Sequence, residues 1–405
     1  MIILNQKLDI KSGNYISVIE SLKSAGGQVR LVGGAVRDAL LGKAQADIDI
    51  ITDLLPEQVT EILVAKNIKV IPTGIKFGTV TAIVAGENFE ITTLRKDIKS
   101  DGRHVEVEFT NDFYLDAERR DFTINALSYS PFEHKIYDYF TGLEDLKQKK
   151  VIFIGQPEKR IIEDYLRILR FFRFSTRFAG LFDAKALAAC IAYKKSLHKL
   201  STERIKAEMD LLLACELAPE TLKTMFEQGI LQEALPIYRF NYAEIKAATQ
   251  FSESIGVKIL PVVFYALLFN KPDLGITELL GLKLSRRESK AILLMNTLGK
   301  ILVTQDWQNA LKEIWLEHTD WEQYFIFAAG SNSKLSGDIR ELYSKLSNME
   351  KKPIPIGGKD LIKMGYSGYE VGQILDFIKK QSIKEDFLLS KQDLIKLIGK
   401  EKNEK

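Results

Sequence analysis

Up to about residue 140, short apolar or alternating runs are separated by segments rich in Gly, Pro, Asn and Asp. Runs of strand character fall at 28–32, 47–52, 69–71, 79–84, 89–94 and 105–109. Two segments between them carry helical spacing: 35–41, closed by Gly42, and 57–65, opened by Pro56. From about residue 158 the period becomes helical and stays so. Ser201-Thr202-Glu203-Arg204 has the form of a helix start, with Ser201 or Thr202 as cap. Further helical stretches span 218–227, 242–255 and 262–268. Pro353, Pro355, Gly357 and Gly358 break the pattern before a last helical stretch that runs into a Lys/Glu-rich end. No internal repeat is visible. The pattern predicts an α+β chain, with an α/β head followed by a helical remainder. Its 405 residues are enough for two to four domains.

Composition narrows the function classes. At 46% hydrophobic and 27% charged residues the chain has an ordinary globular balance, neither disordered nor fibrous. The longest uncharged apolar run, 259–269, is well short of the roughly 20 residues that span a bilayer. The first residues lack the order of a signal peptide and the Arg-rich character of a transit peptide, and a reducing, cytoplasmic location is expected. Cys190 and Cys215 are the only cysteines, and His104, His134, His198 and His318 lie far apart, so no disulfide framework or zinc motif is indicated. The net charge of +3 is unevenly spread: residues 151–210 carry +5, 351–405 carry +4, and the rest is acidic. Two basic segments on an acidic chain point to a polyanionic partner touched in defined places, or else to solvated helix faces.

Four segments carry chemistry. Leu31-Val32-Gly33-Gly34-Ala35-Val36-Arg37-Asp38 ends a strand in two glycines and starts a helix at once. Glycines let backbone approach a phosphate, the helix start offers free N–H groups, and Arg37 can add a bidentate contact. Taken alone, the same dipeptide is also a common turn. Asp47-Ile48-Asp49 lies in an extended context, where alternation puts both carboxylates on one face. Paired carboxylates call for a cation, and Mg²⁺ is the natural one. Glu90, on the 89–94 run, can add a third carboxylate if that strand pairs alongside. Arg119-Arg120-Asp121-Phe122-Thr123-Ile124-Asn125-Ala126, read as helical, suits triphosphate and ribose recognition or plain charge pairing. Glu163-Asp164 followed by Arg167, Arg170 and Arg173 reads as one helix with Asp164 and Arg167 as neighbours. An Asp accepting from an exocyclic amine and an Arg donating to ring acceptors would select cytosine and adenine over uracil and guanine. An intrahelical salt bridge is the competing reading.

Taken in order, and with Leu200-Ser201-Thr202-Glu203-Arg204-Ile205, these motifs closely resemble those of the class II CCA-adding tRNA nucleotidyltransferases and the related bacterial poly(A) polymerases. The resemblance is strong over about the first 210 residues, and Gly357–Leu361 and Gly365–Leu375 look like the C-terminal part of the same enzymes. It implies a nucleotidyltransferase (polymerase β-like) head at 1–140, a helical neck at 141–215, a body at 216–340 and a tRNA-binding tail at 341–405. By resemblance Asp47, Asp49 and Glu90 are the catalytic carboxylates, with the metal on Asp47 and Asp49. Gly33, Gly34, Arg37 and Arg120 would contact the nucleotide, and Asp121 the ribose hydroxyl. Asp164 and Arg167 would pair with the base, supported by Arg170 and Arg173.

The implied reaction is template-independent addition of CCA to the tRNA 3′ end from CTP and ATP, with pyrophosphate released. It needs no membrane and no obligate protein partner. Poly(A) synthesis and a non-catalytic RNA-binding role are the alternatives. Asp101-Gly102-Arg103-His104 resembles a loop linked in the family to switching from CTP to ATP, which favours CCA addition. No His-Asp dipeptide supports a phosphohydrolase appendage. Tyr139 and Thr141 stand where many relatives have Pro and Gly.

Overall fold

The fold is described from a computed structural model covering residues 1–10, 13–43, 45, 47–100, 105–271 and 273–404. The chain forms two compact units, Met1–Pro236 and Ile237–Lys405. The first begins with strands β1 (Ile2–Asn5), β2 (Val29–Val32), β3 (Asp49–Thr52), β4 (Lys69–Gly74), β5 (Thr79–Val84) and β6 (Glu87–Thr93). A two-stranded ribbon of β7 (Arg95–Ser100) and β8 (Val105–Phe109) follows, then β9 (Ser128–Ser130) and β10 (Lys135–Asp138). The main sheet has the order β1-β10-β9-β2-β3-β6-β5-β4. Its neighbours pair antiparallel except β3 and β6, which run parallel.

That parallel pair matters because its register sets Asp49 opposite Glu90. Helices α1 (Tyr15–Ser24) and α3 (Pro56–Ala65) pack against the sheet, burying Val18, Ile19, Leu22, Val59 and Leu63. Val32, Ile51, Leu94 and Phe113 form a separate core cluster. Antiparallel pairing of β2 with β3 puts Val32 opposite Asp49, so the cluster lies beside the acidic strand end. Between β2 and helix α2 (Gly34–Leu40), Gly33 has φ +70°, a conformation that a side chain strains.

Strands β1, β7, β9 and β10, and helix α1, are elements that the hydrophobic pattern does not mark. Three of these strands are short, and β1 lies at the sheet edge with all four residues exposed. Arg119–Asp121 is not helical, contrary to the sequence reading. Helix α4 (Phe113–Glu118) stops before it, and the chain turns so that Phe122 can bridge Phe153 and enter an aromatic core. The second correction concerns Asp164. Helix α6 (Pro157–Glu163) ends there, with Asp164 at φ −155° and ψ 108°, and α7 (Leu166–Phe174) starts afresh. Asp164 Oδ1 accepts from Leu166 N at 3.1 Å, which stabilises the new start.

Helix α7 packs on α9 (Thr202–Leu213), which follows α8 (Ala184–Tyr193), and carries Phe171, Phe172 and Phe174 into an aromatic group with Phe122 and Phe153. It continues into a wide π-type turn, Ser175–Ala179, closed by Gly180. In the second unit, Tyr242–Ile255 is capped by Asn241 and crosses Glu322–Ser331 so closely that a Cβ on Gly330 would lie 2.7 Å from Ala248 Cβ. The single last helical stretch of the sequence reading is three helices, Gly358–Lys363, Tyr369–Lys384 and Lys391–Glu404. They are broken by Gly365 and Gly368 and by left-handed Asp386 and Phe387, and they close on Ile356, Leu361, Ile378, Leu394 and Ile398. Among the described residues no helix is long and apolar enough to cross a membrane.

Thr141, before helix α5 (Gly142–Lys147), has φ +62°. A β-branched residue is strained there, by about 1–2 kcal/mol. Glycine's greater unfolded-state entropy offsets part of this, so Thr141→Gly is expected to raise the melting temperature by about one to three degrees, read by differential scanning calorimetry. An unchanged or lower Tm would show that Thr141 is held without strain.

Candidate active site

A cavity of about 590 Å³ in the first unit gathers Gly33, Gly34, Arg37, Asp47, Asp49, Arg120, Asp121, Asp164, Arg167, Arg170 and Arg173. Of the sequence-derived site residues only Glu90 is outside this lining, and the β3–β6 register sets it beside Asp49. Segments more than a hundred residues apart thus meet in one place.

Its floor is the acidic strand end. A Cβ on Gly33 would lie 3.9 Å from Asp49 Oδ2 and 3.6 Å from Arg120 Nη1, so glycine loop, carboxylate and guanidinium converge. Burial, with Glu90 and then Asp47 repelling a second charge, pushes the Asp49 carboxyl up to about 6 against the pull of Arg120. Closely spaced carboxylates of this kind favour binding of a cation. Among the described residues no three His, Cys, Asp or Glu side chains enclose a common point. Two carboxylates nevertheless suit Mg²⁺, which keeps waters and substrate oxygens in its remaining positions.

One wall is cationic and rigid. Arg37 is buried, donating through Nε to Asp38 Oδ1 at 2.9 Å and through Nη1 to Asn125 Oδ1, and its guanidinium lies 4.2 Å from the Phe178 ring centre. Asn125 Nδ2 in turn donates to Asp121 Oδ1 at 2.9 Å. Asp121 also accepts from Phe122 N at 2.8 Å and from Arg170 Nε at 2.7 Å. Burial alone would raise the Asp121 carboxyl, but Arg170 and Asn125 hold it below the ordinary range. Arg120 is anchored to Asp116 Oδ2 at 3.0 Å, and Arg160 Nη2 donates to the Arg120 carbonyl at 2.7 Å, fixing the turn after α4.

The opposite wall is the break between α6 and α7. Asp164 and Arg167 both face the cavity but do not pair with each other in the way the one-helix reading expects. Asp164 Oδ2 accepts from Arg204 Nη2 at 2.7 Å. Arg167 pairs with Glu163 and donates to the carbonyls of Arg160 at 2.9 Å and Arg119 at 3.1 Å. Because a carboxylate has about four lone-pair sites, Asp164 keeps capacity toward the cavity. Behind them, Glu208 accepts from Arg173 Nε at 2.6 Å and from Arg170 Nη1 at 3.4 Å.

Arg204, Glu208, Asn125 and Asp116 are site residues that the sequence reading did not single out for a role. Arg204 and Glu208 are spaced i,i+4 on α9, so they share the face turned to α7. That spacing, matched against the arginine ladder, is the signal that could have found them. Asp101-Gly102-Arg103-His104 lies outside the described residues.

Likeness to known proteins agrees with this geometry. Residues 29–152 match a family described as the poly A polymerase head domain, and 182–240 one described as a probable RNA and SrmB binding site of polymerase A. The mitochondrial CCA tRNA nucleotidyltransferase 1 of Danio rerio is 36% identical over 92% of this chain and 87% of its own length. The chain belongs to the CCA-adding tRNA nucleotidyltransferase family. A bacterial CCA-adding enzyme, from Ligilactobacillus salivarius, is 29% identical over 94% of both chains. The crystal structure of the Bacillus stearothermophilus CCA-adding enzyme in complex with CTP aligns over 96% of this chain and 98% of its own, at 26% identity and a TM-score of 0.68. The Thermotoga maritima CCA-adding enzyme complexed with tRNA shares the fold, with a TM-score of 0.73 at 19% identity.

In this CCA-adding family member, Asp49 stores electrostatic stress. A carboxyl whose folded pKa is raised contributes stability below its unfolded pKa and loses it as pH climbs through the folded value, here from about 4 to about 6. Asp49→Asn is therefore expected to raise the Tm of the metal-free chain in EDTA at neutral pH, with the gain vanishing at about pH 4. Equal melting curves at pH 7.5 would remove the stress assigned to this carboxylate.

Proposed function

We propose that this chain completes the 3′ end of tRNA with CCA, taking CTP and ATP and releasing pyrophosphate. The observation that carries the reading is the meeting of a two-carboxylate strand end and an Asp/Arg pair in one cavity, in a member of this family. The first provides for phosphoryl transfer and the second for choosing a base without a template.

Asp47 and Asp49 would hold Mg²⁺, with Glu90 completing the carboxylate set. A Mg²⁺ held by them would favour an ionised attacking hydroxyl and neutralise charge on the leaving pyrophosphate. Gly33 and Gly34 leave room for the triphosphate against the backbone, and Arg37 and Arg120 present guanidinium groups to it. Asp121 serves the ribose side and holds Arg170 in place. Asp164 accepts the exocyclic amine of cytosine or adenine, and Arg167 donates to the adjacent ring acceptor. Uracil and guanine place a donor and an acceptor the other way round and are refused. Arg170 and Arg173 keep the wall positive beside the phosphates. Much of the acceleration comes from holding the 3′-hydroxyl, α-phosphate and leaving group in line.

The basic segments 151–210 and 351–405 are the proposed tRNA-facing surfaces, within a head at 1–140, neck at 141–215, body at 216–340 and tail at 341–405. Recognition would rest on shape and backbone, since one enzyme serves many tRNAs, and it should weaken with salt. The reaction requires no membrane or obligate protein partner, and the cytoplasm is the proposed compartment.

The test is extension of a tRNA transcript lacking CCA, in Mg²⁺. CTP alone should add two residues, and CTP with ATP should add one further A and stop. A long A ladder from ATP alone would make the chain a poly(A) polymerase, and absence of extension would overturn the reading. Asp49→Ala should lose at least a thousandfold in incorporation while binding tRNA normally, since the proposed metal site loses one of its two ligands (roughly 4 kcal/mol or more). Arg167→Ala should lose either most activity or its discrimination against UTP. Undiminished rejection of UTP at full activity would refute base reading by Arg167.

A further inference from the structure

Arg95 opens β7 and is used by none of the roles above. Its root is fixed: Leu94 is fully buried, its N–H donates to the Thr52 carbonyl at 2.8 Å, and its carbonyl accepts from Thr110 N at 2.9 Å. The guanidinium is not. Its Nε and Nη1 are buried without a hydrogen-bond partner among the described residues. The charged groups facing it are Arg119 and Arg120 on one side of the balance and Asp97 and Asp116 on the other. Asp116 is already committed, with Oδ1 accepting from Arg119 Nε at 2.8 Å and Oδ2 from Arg120 Nη2 at 3.0 Å. Asp97 is exposed to solvent, where its charge is screened. Burial, with Arg119 opposing a further positive charge, pulls Arg95 down to about 10.

Three guanidinium groups thus crowd one spent carboxylate. Two of the three open onto cavities. Arg119 and Arg120 line the nucleotide cavity, and Arg119 also lines a second cavity of about 630 Å³ with Lys96, Lys159 and Arg160. An unpaired buried donor costs free energy in the free protein, and an anion brought from outside recovers it. Arginine's planar fork matches phosphate oxygens bidentately, and phosphate is the anion that both nucleotide and RNA carry.

We propose that Arg95 is a phosphate-binding residue that takes up a substrate phosphate beside Arg119 and Arg120. The inference rests on the nucleotidyltransferase reading. That phosphate belongs either to the tRNA backbone near its 3′ end or to the incoming triphosphate.

Arg95→Met, which keeps the apolar stem and removes the fork, tests it in the full-length chain, with Arg95→Lys retaining a point charge. Wild-type extension of a CCA-less tRNA is the control; its failure would sink the nucleotidyltransferase reading, not this inference alone. Without ligand, at low salt, R95M should melt no lower than wild type, because it removes an uncompensated cation; a structural role would give the reverse. R95M should weaken tRNA binding roughly tenfold, or raise KM for CTP and ATP by a similar factor, with R95K between. Weaker tRNA binding, with the log Kd against log salt slope reduced by about one and nucleotide KM unchanged, would identify a backbone phosphate. Raised nucleotide KM with tRNA affinity intact would identify the triphosphate. An R95M chain that melts well below wild type would overturn the proposal. So would R95M and R95K chains matching wild type in tRNA affinity, salt slope and nucleotide KM.

Discussion

The ion pair between Asp121 and Arg170 ties the two halves of the site together. One oxygen of that buried carboxylate meets Phe122 N and Asn125, and the other meets Arg170 on α7. Through Asn125 it fixes Arg37 of the glycine turn, and through Arg170 it meets Glu208 and then Arg173. The glycine turn and the arginine face of α7 are therefore parts of one hydrogen-bonded chain. Removing one partner of such a buried pair strands the other charge, which costs far more than the pair's net worth. If the site reads a base as proposed, such rigidity beside it is what a judgement by hydrogen-bond pattern needs.

The charges of this site are arranged for occupants rather than for comfort. At Asp49 acidic groups outnumber their counterions, whereas cations dominate around Arg119 and Arg120. On the proposed reading a divalent cation would relieve the first imbalance and phosphate oxygens the second, at opposite ends of one field. Such preorganisation is expensive in the empty protein and is recovered on binding.

Much of this was legible in the residues. Asp47 and Asp49 line one cavity as the D-x-D spacing indicates, although β3 begins only at Asp49, and the apolar run after Phe89 carries Glu90 into register beside Asp49. The strands at 79–84 and 105–109 and the helices at 218–227 and 242–255 have the bounds their patterns indicate. What failed depended on tertiary context. The arginine pair before Asp121 reads as helix by propensity, yet Phe122 gains more from the aromatic core and its bridge to Phe153 than from another helical turn. The run from Glu163 to Arg173 has unbroken helical spacing, yet Asp164 leaves the helix, capping Leu166 N and meeting Arg204, a long-range partner that spacing does not reveal. Short edge strands such as Ile2–Asn5 leave little periodicity to detect, since every position is exposed.

The wide turn at Ser175–Ala179 has a consequence for how such chains diverge. Arg167, Arg170 and Arg173 advance in steps of three, and Arg177 follows after four, inside that turn, where it reaches Asp38 at 2.9 Å. A π-type turn amounts to one residue inserted into a helix, which advances everything after it by about 100°. The clamp on the glycine turn therefore depends on a count of residues as well as on their identity. A lineage that loses a single residue there could keep every side chain in the motif and still present Arg177 to the wrong quarter of the helix. In this part of the molecule, length is inherited information.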